Sequence, residues 1–435
     1  MSQKRYAVIG HPIGHTMSPF IHKRLFEMRD IDADYGVYDI PTEDLIGKIQ
    51  ELKSLDGFNI TIPHKQAIIP FLKQMDQKAS LYQSVNTVKN NGCLEGYTTD
   101  PDGFLSALGQ AGIPLKGRVV ILGTGGVART IAYEATMAGC FVMLAVRRKS
   151  LSHAASLSGA LRNDVHNGDT ETCRLDCLSG HIDLLINATP VGMYPNTAAS
   201  PVDLREFPQC EGVLDLIYNP ARTALLQQAE ALGIPCLGGL YMLAEQARCA
   251  AQIFTGEVIP AIRTKEAYHA LSRRKENRIL IGMPGCGKST VGQALAQRLD
   301  RPFVDCDQEL ERILEMPVGE YITHYGEEAF RAQETALLTQ LGKASGLVIA
   351  TGGGCVTRPE NYPHLHQNGA IIFLERELSK LPKKGRPLSL RGSLQDMYTI
   401  RLPMYRRFAD ITVANDGPAE TVAQTVEEAY EHFSD

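Results

Sequence analysis

The chain has 435 residues, 44% of them hydrophobic and 21% charged, with a formal net charge of -5. That is enough length for two to four domains with ordinary cores, and the mild acidity argues against a general nucleic-acid binder. The N-terminus lacks the apolar stretch of a signal peptide, and no apolar run approaches the roughly 18 to 20 residues that cross a bilayer.

Ten cysteines are scattered along the chain without a zinc-like double pair. In the nearest spacing, Cys173 and Cys177, no histidine cluster stands beside the pair. A cytoplasmic protein with reduced thiols is expected, without membrane or nucleic-acid partners, and self-association stays open.

Runs rich in Val, Ile and Leu recur at 6–10, 118–122, 141–146, 184–187, 212–216, 279–282, 347–350 and 370–374. Helix-period segments separate them, which predicts βαβ units and an α/β fold with parallel sheets. Residues 1–112 and 240–271 read as one lobe and 113–239 as a dinucleotide-binding lobe. The polar stretch 272–278 reads as a solvated linker, and 279–435 as a nucleotide-binding domain.

In chain order, the first chemical signature follows the strand at 118–122. Gly123, Gly125, Gly126 and Ala128 form G-x-G-G-x-A between that strand and a helix. Glycines there permit a tight turn and let backbone amides approach a pyrophosphate at the helix N-terminus. The next strand ends in Val146 followed by Arg147, Arg148 and Lys149. An NAD-preferring unit usually carries an acid there for the ribose 2′-hydroxyl. Three cations suit a 2′-phosphate instead, so NADP is favoured.

The second signature begins at Ile279, where a strand runs into G-x-x-x-x-G-K-S from Gly282 to Ser289. Amides around Gly285 and Gly287 and the neighbouring Thr290 cradle the phosphates of ATP in such a loop. Lys288 reaches the outer phosphates, and the Ser289 hydroxyl holds Mg²⁺. Cys286 lies inside the loop and is expected to be sensitive to alkylation. Asp305 and Asp307, two residues apart, read as carboxylates on one face of an extended segment.

Further segments carry a family resemblance over about residues 5–270. They are GHPIGHTMSP from Gly10, GFNITIPHK ending at Lys65, SVNT from Ser84 and GYTTD ending at Asp100. NATPVGM from Asn187, DLIYNP from Asp215 and GLYMLAEQ from Gly239 complete the set. Together they resemble the shikimate dehydrogenase family. By type alone, Lys65 is a surface lysine and Asp100 a cap or turn acid. The resemblance implies that Lys65 and Asp100 are the catalytic pair, a lysine donating a proton to a carbonyl oxygen and a carboxylate orienting it. It further implies that Thr16 and Ser18 receive a carboxylate, and that Asn59, Thr61, Asn86, Tyr218 and Gln246 receive ring hydroxyls. Thr189 and Gly239 then belong to the cofactor side. Thr16 stands where the family usually has Ser, and Thr98 where it usually has Asn. Val146-Arg-Arg-Lys149 replaces Asn-Arg-Thr.

The C-terminal part resembles shikimate kinase over about residues 277–430. The resemblance rests on the phosphate loop, VDCD from Val304, GEEAFR ending at Arg331, Glu334, the glycines 352–354, RPL from Arg386 and RLPMY from Arg401. It implies that Asp305 supports Mg²⁺ and that Asp307 holds the acceptor hydroxyl. Arg331 and Arg401 clamp the substrate carboxylate, Gly353 and Gly354 present amides, and Arg386 on a lid touches ATP. The lid is short, so Lys380, Lys383 or Lys384 stands in for a second lid arginine.

The combined reading is a bifunctional enzyme of aromatic amino-acid biosynthesis. It reduces 3-dehydroshikimate with NADPH, then phosphorylates shikimate with ATP and Mg²⁺. The rivals are a quinate-accepting dehydrogenase fused to a kinase, and an inactive metabolite-sensing regulator.

Overall fold

The computed structural model describes residues 3–14, 16–381 and 394–434. It contains three sheets. The first is built from β1 (Lys4–Gly10), β2 (Ala33–Asp39), β3 (Gly57–Ile60), β4 (Gln74–Met75), β5 (Thr87–Asn90) and β6 (Leu94–Tyr97), in the order β2-β1-β3-β5-β6-β4. β1 runs parallel to β2 and β3, whereas β3–β5 and β5–β6 are antiparallel. Register pairs Asn59 with Thr87 and Thr87 with Tyr97. Residues far apart in sequence thus meet at one end of the sheet, just before the helix Asp100–Ala111.

The second sheet comprises β7 (Arg118–Leu122), β8 (Phe141–Val146), β9 (Thr170–Arg174), β10 (Leu184–Asn187), β11 (Val213–Asp215) and β12 (Cys236–Gly238). Its order, β12-β11-β10-β7-β8-β9, is wholly parallel and reverses beside β7. In such sheets ligands lie beyond the carboxyl ends of the strands where the order reverses. Residues 119–122 are all buried, as a strand covered on both faces requires. The helix Gly239–Thr255 serves both layers. Leu240, Ala244 and Ala251 join the core around Tyr6 and Val8, while Tyr241 and Met242 join the core around Val119.

The third sheet contains β13 (Asn277–Ile281), β14 (Phe303–Asp305), β15 (Val348–Ala350), β16 (Gly369–Glu375) and β17 (Ile411–Ala414), all parallel in the order β14-β15-β13-β16-β17. The chain divides into two compact units. One gathers 1–193, 198–218 and 225–271, and the other 194–197, 219–224 and 272–435.

Two sequence expectations fail here. Residues 272–278 are not a solvated linker. The helix Ile262–Lys275 runs through the first part, β13 starts at Asn277, and both Asn277 and Arg278 are fully buried. Arg278 is accommodated by lying 3.1 Å over the centre of the Tyr430 ring, a cation–π contact that replaces water. Nor do Asp305 and Asp307 share an extended segment. Asp305 caps the helix Cys306–Leu314, its Oδ1 accepting from the Asp307 amide at 3.0 Å and the Gln308 amide at 3.3 Å. Asp307 lies in the first turn of that helix, and aspartate is a strong N-cap.

Candidate active sites

In the N-terminal unit, Lys65 follows β3 on the short helix His64–Ala67, and Asp100 opens the helix after β6. Lys65 Nζ donates to Asp100 Oδ2 at 2.7 Å, and Asn86 Nδ2 donates to Asp100 Oδ1 at 3.0 Å. Asp100 is fully buried while Lys65 keeps a small exposed tip, 15% of its side chain. The carboxylate is therefore fixed from both oxygens, and the lysine keeps a small part of its side chain in contact with solvent. Asn86 Oδ1 in turn accepts from the Thr99 amide at 2.9 Å.

A second polar group lies at the same end of the sheet. Tyr35 donates its hydroxyl to Asn59 Oδ1 at 2.7 Å, and Asn59 Nδ2 reaches Thr87 Oγ1 at 3.0 Å. Thr16 Oγ1 donates to Ser18 Oγ at 3.2 Å, which brings the two hydroxyls together. Ser18 also hydrogen-bonds Tyr35, whose phenol burial pushes well above its usual range. His22 stacks on Tyr35 with ring centres 4.2 Å apart, and burial lowers its pKa to about 3. Tyr218 is largely buried, and that burial raises its pKa. Thr61 sits against the Gly10 backbone, and the Gln246 carbonyl accepts from Thr99 Oγ1 at 3.1 Å. Thr98 Oγ1 is buried without a partner among the described residues.

At the carboxyl end of β7, Gly123 has φ +113°, and a Cβ there would lie 2.9 Å from the Ala188 carbonyl oxygen. Only glycine closes that turn without strain. Gly125 caps the helix Gly126–Met137, and a Cβ on Gly125 would meet nothing within 4 Å. An open helix N-terminus above a glycine turn fits a pyrophosphate. Thr189 is held on Asn187 Oδ1 at 2.7 Å. Arg147 and Arg148 line a cavity of about 470 Å³ together with Arg174. Lys149 is not among its lining residues. The Ala128 side chain is buried in the core, where it packs helix against strand. A Cβ on Gly239 would run into the Leu216 backbone, so that close approach admits only glycine.

The C-terminal unit holds a cavity of about 1230 Å³ whose lining includes Gly285, Gly287, Lys288, Ser289, Thr290, Asp305 and Asp307. Gly285 and Gly287 have φ values of +83° and +100°. Lys288 Nζ donates to the Gly282 and Met283 carbonyls at 2.9 and 3.1 Å, so the lysine is folded over its own loop. Ser289 Oγ lies 2.5 Å from Asp305 Oδ2, a hydroxyl and carboxylate pair suited to a hard divalent cation. Arg331, Glu334, Gly353, Gly354 and Arg401 line the other side of the cavity. Arg331 is buried, with Nη1 2.7 Å from Glu334 Oε2 and Nη2 3.3 Å from Glu327 Oε1. Burial raises the Glu334 carboxyl above its usual range, and the Arg331 guanidinium pulls against that. Arg401 Nη1 donates to the Gly353 carbonyl at 3.1 Å.

Known proteins match both units. A family model for shikimate dehydrogenase substrate binding domain matches residues 8–88, and one for shikimate kinase matches 284–431. The shikimate dehydrogenase (NADP(+)) of Caldanaerobacter subterraneus subsp. tengcongensis is 35% identical over 260 residues, 58% of this chain and 92% of that protein. The chain belongs to the shikimate dehydrogenase family. It also carries a shikimate kinase domain. A crystal structure of the Thermus thermophilus shikimate 5-dehydrogenase in complex with NADP(H) and shikimate matches with a TM-score of 0.56. It is 34% identical and covers 62% of this chain and 99% of that one. A chorismate mutase/shikimate 5-dehydrogenase fusion protein from Clostridium acetobutylicum matches with a TM-score of 0.56 and 30% identity, over 62% of this chain and 98% of that one.

The chain is thus a fusion in the shikimate pathway with dehydrogenase and kinase activities, using NADP, ATP and Mg²⁺. Among the described residues no helix is long and apolar enough to cross a membrane. Arg386, Lys383 and Lys384 lie outside the described residues. Lys380 is engaged at the surface with Asp416 at 2.8 Å. Sequence reasoning did not single out Tyr35, an ordinary strand residue that the register of the first sheet brings against Asn59. Thr87 and Thr99 lie inside the SVNT and GYTTD segments that carry the resemblance, and their contacts with Asn86 emerge only in the fold. Cys286, expected to be sensitive to alkylation, is fully buried.

Proposed function

We propose that the dehydrogenase works in the reducing direction and feeds the kinase: 3-dehydroshikimate is reduced to shikimate, and the hydroxyl so created is phosphorylated to give shikimate 3-phosphate. The observation that carries this is the Lys65–Asp100 pair on the same chain as a phosphate-loop cavity that also contains buried Arg331 and half-buried Arg401. A ketone and a carboxylate are the handles that these two sets of groups recognise.

Bound NADPH supplies the hydride. Lys65 donates a proton to the carbonyl oxygen, and Asp100, held by Asn86, keeps the ammonium aimed and charged. Thr16 and Ser18 present hydroxyls to the substrate carboxylate, and Asn59, Thr61, Asn86, Tyr218 and Gln246 bind ring hydroxyls. Arg147 and Arg148 take the 2′-phosphate. Gly123, Gly125 and Gly126 seat the pyrophosphate.

In the kinase, Arg331 and Arg401 hold the substrate carboxylate, and Gly353 and Gly354 approach its ring. Asp307 receives the acceptor hydroxyl and its proton. Lys288 leaves its loop carbonyls for the outer phosphates, where it offsets developing charge. Ser289 and Asp305 would hold Mg²⁺, which when bound would neutralise phosphate charge.

The test is to incubate the protein with 3-dehydroshikimate, NADPH, ATP and Mg²⁺ and identify the products by mass spectrometry. Wild type should yield shikimate 3-phosphate. Lys288→Ala should stop at shikimate with NADPH oxidation intact, and Lys65→Ala should phosphorylate added shikimate but not reduce the ketone. Accumulation of unphosphorylated shikimate by wild type would overturn the sequence of steps. Faster turnover of quinate than of shikimate would favour the rival substrate.

A further inference from the structure

Arg376 follows β16, the strand beside the one that leads into the phosphate loop. It lines the 1230 Å³ cavity, and its Nη1 lies 3.8 Å from the point where a side chain on Gly287 would begin. Its Nε is shielded from water and has no hydrogen-bond partner among the described residues. The flanking carboxylates are directed elsewhere: Glu375 lies 3.8 Å from Arg406, and Glu377 lies 3.6 Å from Lys380. The other arginines of the cavity have partners, Arg331 on Glu334 and Arg401 on the Gly353 carbonyl.

A guanidinium without a carboxylate, partly removed from water and set against a phosphate-cradling glycine, is arranged for an anion. We propose that Arg376 binds the phosphates of the kinase's nucleoside triphosphate, supplying from the end of β16 a cation that the short lid segment was expected to provide. Lys380, the lid cation that the structure describes, is occupied by Asp416 and Glu377 at the surface. The inference rests on the kinase reading for the identity of the nucleotide, but not on the direction of the dehydrogenase or on the acceptor.

The experiment measures ATP·Mg²⁺ binding to the full chain by titration calorimetry, with the dehydrogenase site saturated with NADP⁺. It is run for wild type, Arg376→Gln and Arg376→Lys. Gln keeps much of the side-chain length and removes the charge, and Lys keeps the charge and removes the fork. Arg376→Gln should weaken ATP binding about ten-fold or more, the scale of losing one charge-assisted hydrogen bond. Arg376→Lys should recover part of the loss. The Michaelis constant for shikimate and the rate of NADPH oxidation should stay within two-fold of wild type. Unchanged ATP affinity in Arg376→Gln overturns the proposal. So does a parallel loss of shikimate affinity, which would mark Arg376 as a structural support. If Gln does not fold, the Lys variant decides: ATP affinity lower than in wild type with shikimate unaffected supports the proposal, and ATP affinity equal to wild type overturns it. Failure of both variants to fold overturns it in favour of a structural arginine. Wild type that binds ATP but does not phosphorylate shikimate would count against the acceptor, not against Arg376.

Discussion

Lys65 Nζ and Asp100 Oδ2 lie 2.7 Å apart, and the carboxylate is wholly buried while the ammonium keeps a narrow exposure. The pair is asymmetric, with the acid fixed in the protein and the cation partly accessible. Asp100→Asn keeps the shape and can still bond Asn86, but it removes the charge that holds the ammonium. We expect NADPH-dependent reduction to fall about 10²-fold or more, the usual worth of a positioned proton donor, with the kinase rate unchanged. Steady-state kinetics of both activities on one preparation checks this. A fall of less than three-fold would remove Asp100 from the proton-delivery group.

The parts of the fold most legible in the sequence were those where backbone geometry restricts residue choice. Gly123 and Gly287 sit at φ +113° and +100°, and their motifs were readable because little but glycine fits there. The Lys65–Asp100 contact was not readable from spacing, because it depends on β3, β5 and β6 aligning antiparallel. Only the family resemblance pointed to it. The stretch 272–278 reads as solvated because it is rich in charge. Arg278 is buried on Tyr430, a partner contributed by a helix near the other end of the domain. At Asp305 the capping role outweighs the alternation of an extended segment.

Arg147 and Arg148 line a cavity beside Arg174 at the ends of β8 and β9. A 2′-phosphate placed there meets guanidinium forks, whereas a 2′-hydroxyl gains nothing comparable. Replacing both with Ala should raise the Michaelis constant for NADPH at least about ten-fold and that for NADH by less than two-fold. Initial rates with each cofactor at saturating 3-dehydroshikimate measure the ratio. Equal use of NADH and NADPH by wild type would refute the phosphate assignment.

His22 is stacked on Tyr35, and burial lowers its pKa to about 3 from the ordinary 6.5. A base with a depressed folded pKa binds its proton more readily in the unfolded chain. Its contribution to stability is therefore full above pH 6.5 and is lost as pH falls toward 3. The slope between those values is at most about 1.4 kcal/mol per pH unit. Denaturant unfolding of the dehydrogenase unit from pH 7 to 4.5 should show this acid loss, and His22→Gln should flatten it. An identical slope in the variant would assign the acid sensitivity to carboxylates instead.

Three cysteines surround the kinase cavity, and all are fully buried: Cys286 in the phosphate loop, Cys306 between the two aspartates, and Cys355 after the glycine turn. Burial pushes the Cys355 thiol up to about 12 and the Cys306 thiol well above its usual range, so neither forms the reactive thiolate near neutral pH. Cys286 has no exposed surface, and its sulfur packs against Gly282. Alkylation needs both a thiolate and an approach path for the reagent, and the loop thiol lacks the path. Cys177, in contrast, is exposed. Brief treatment with iodoacetamide at pH 7.5 should therefore label Cys177 first and leave the kinase rate unchanged, because the reagent reaches exposed thiols before buried ones. Peptide mapping by mass spectrometry, read beside the activity, separates the outcomes. Loss of kinase activity in step with Cys286 labelling, prevented by ATP·Mg²⁺, would mean that the phosphate loop opens far enough in solution to admit the reagent.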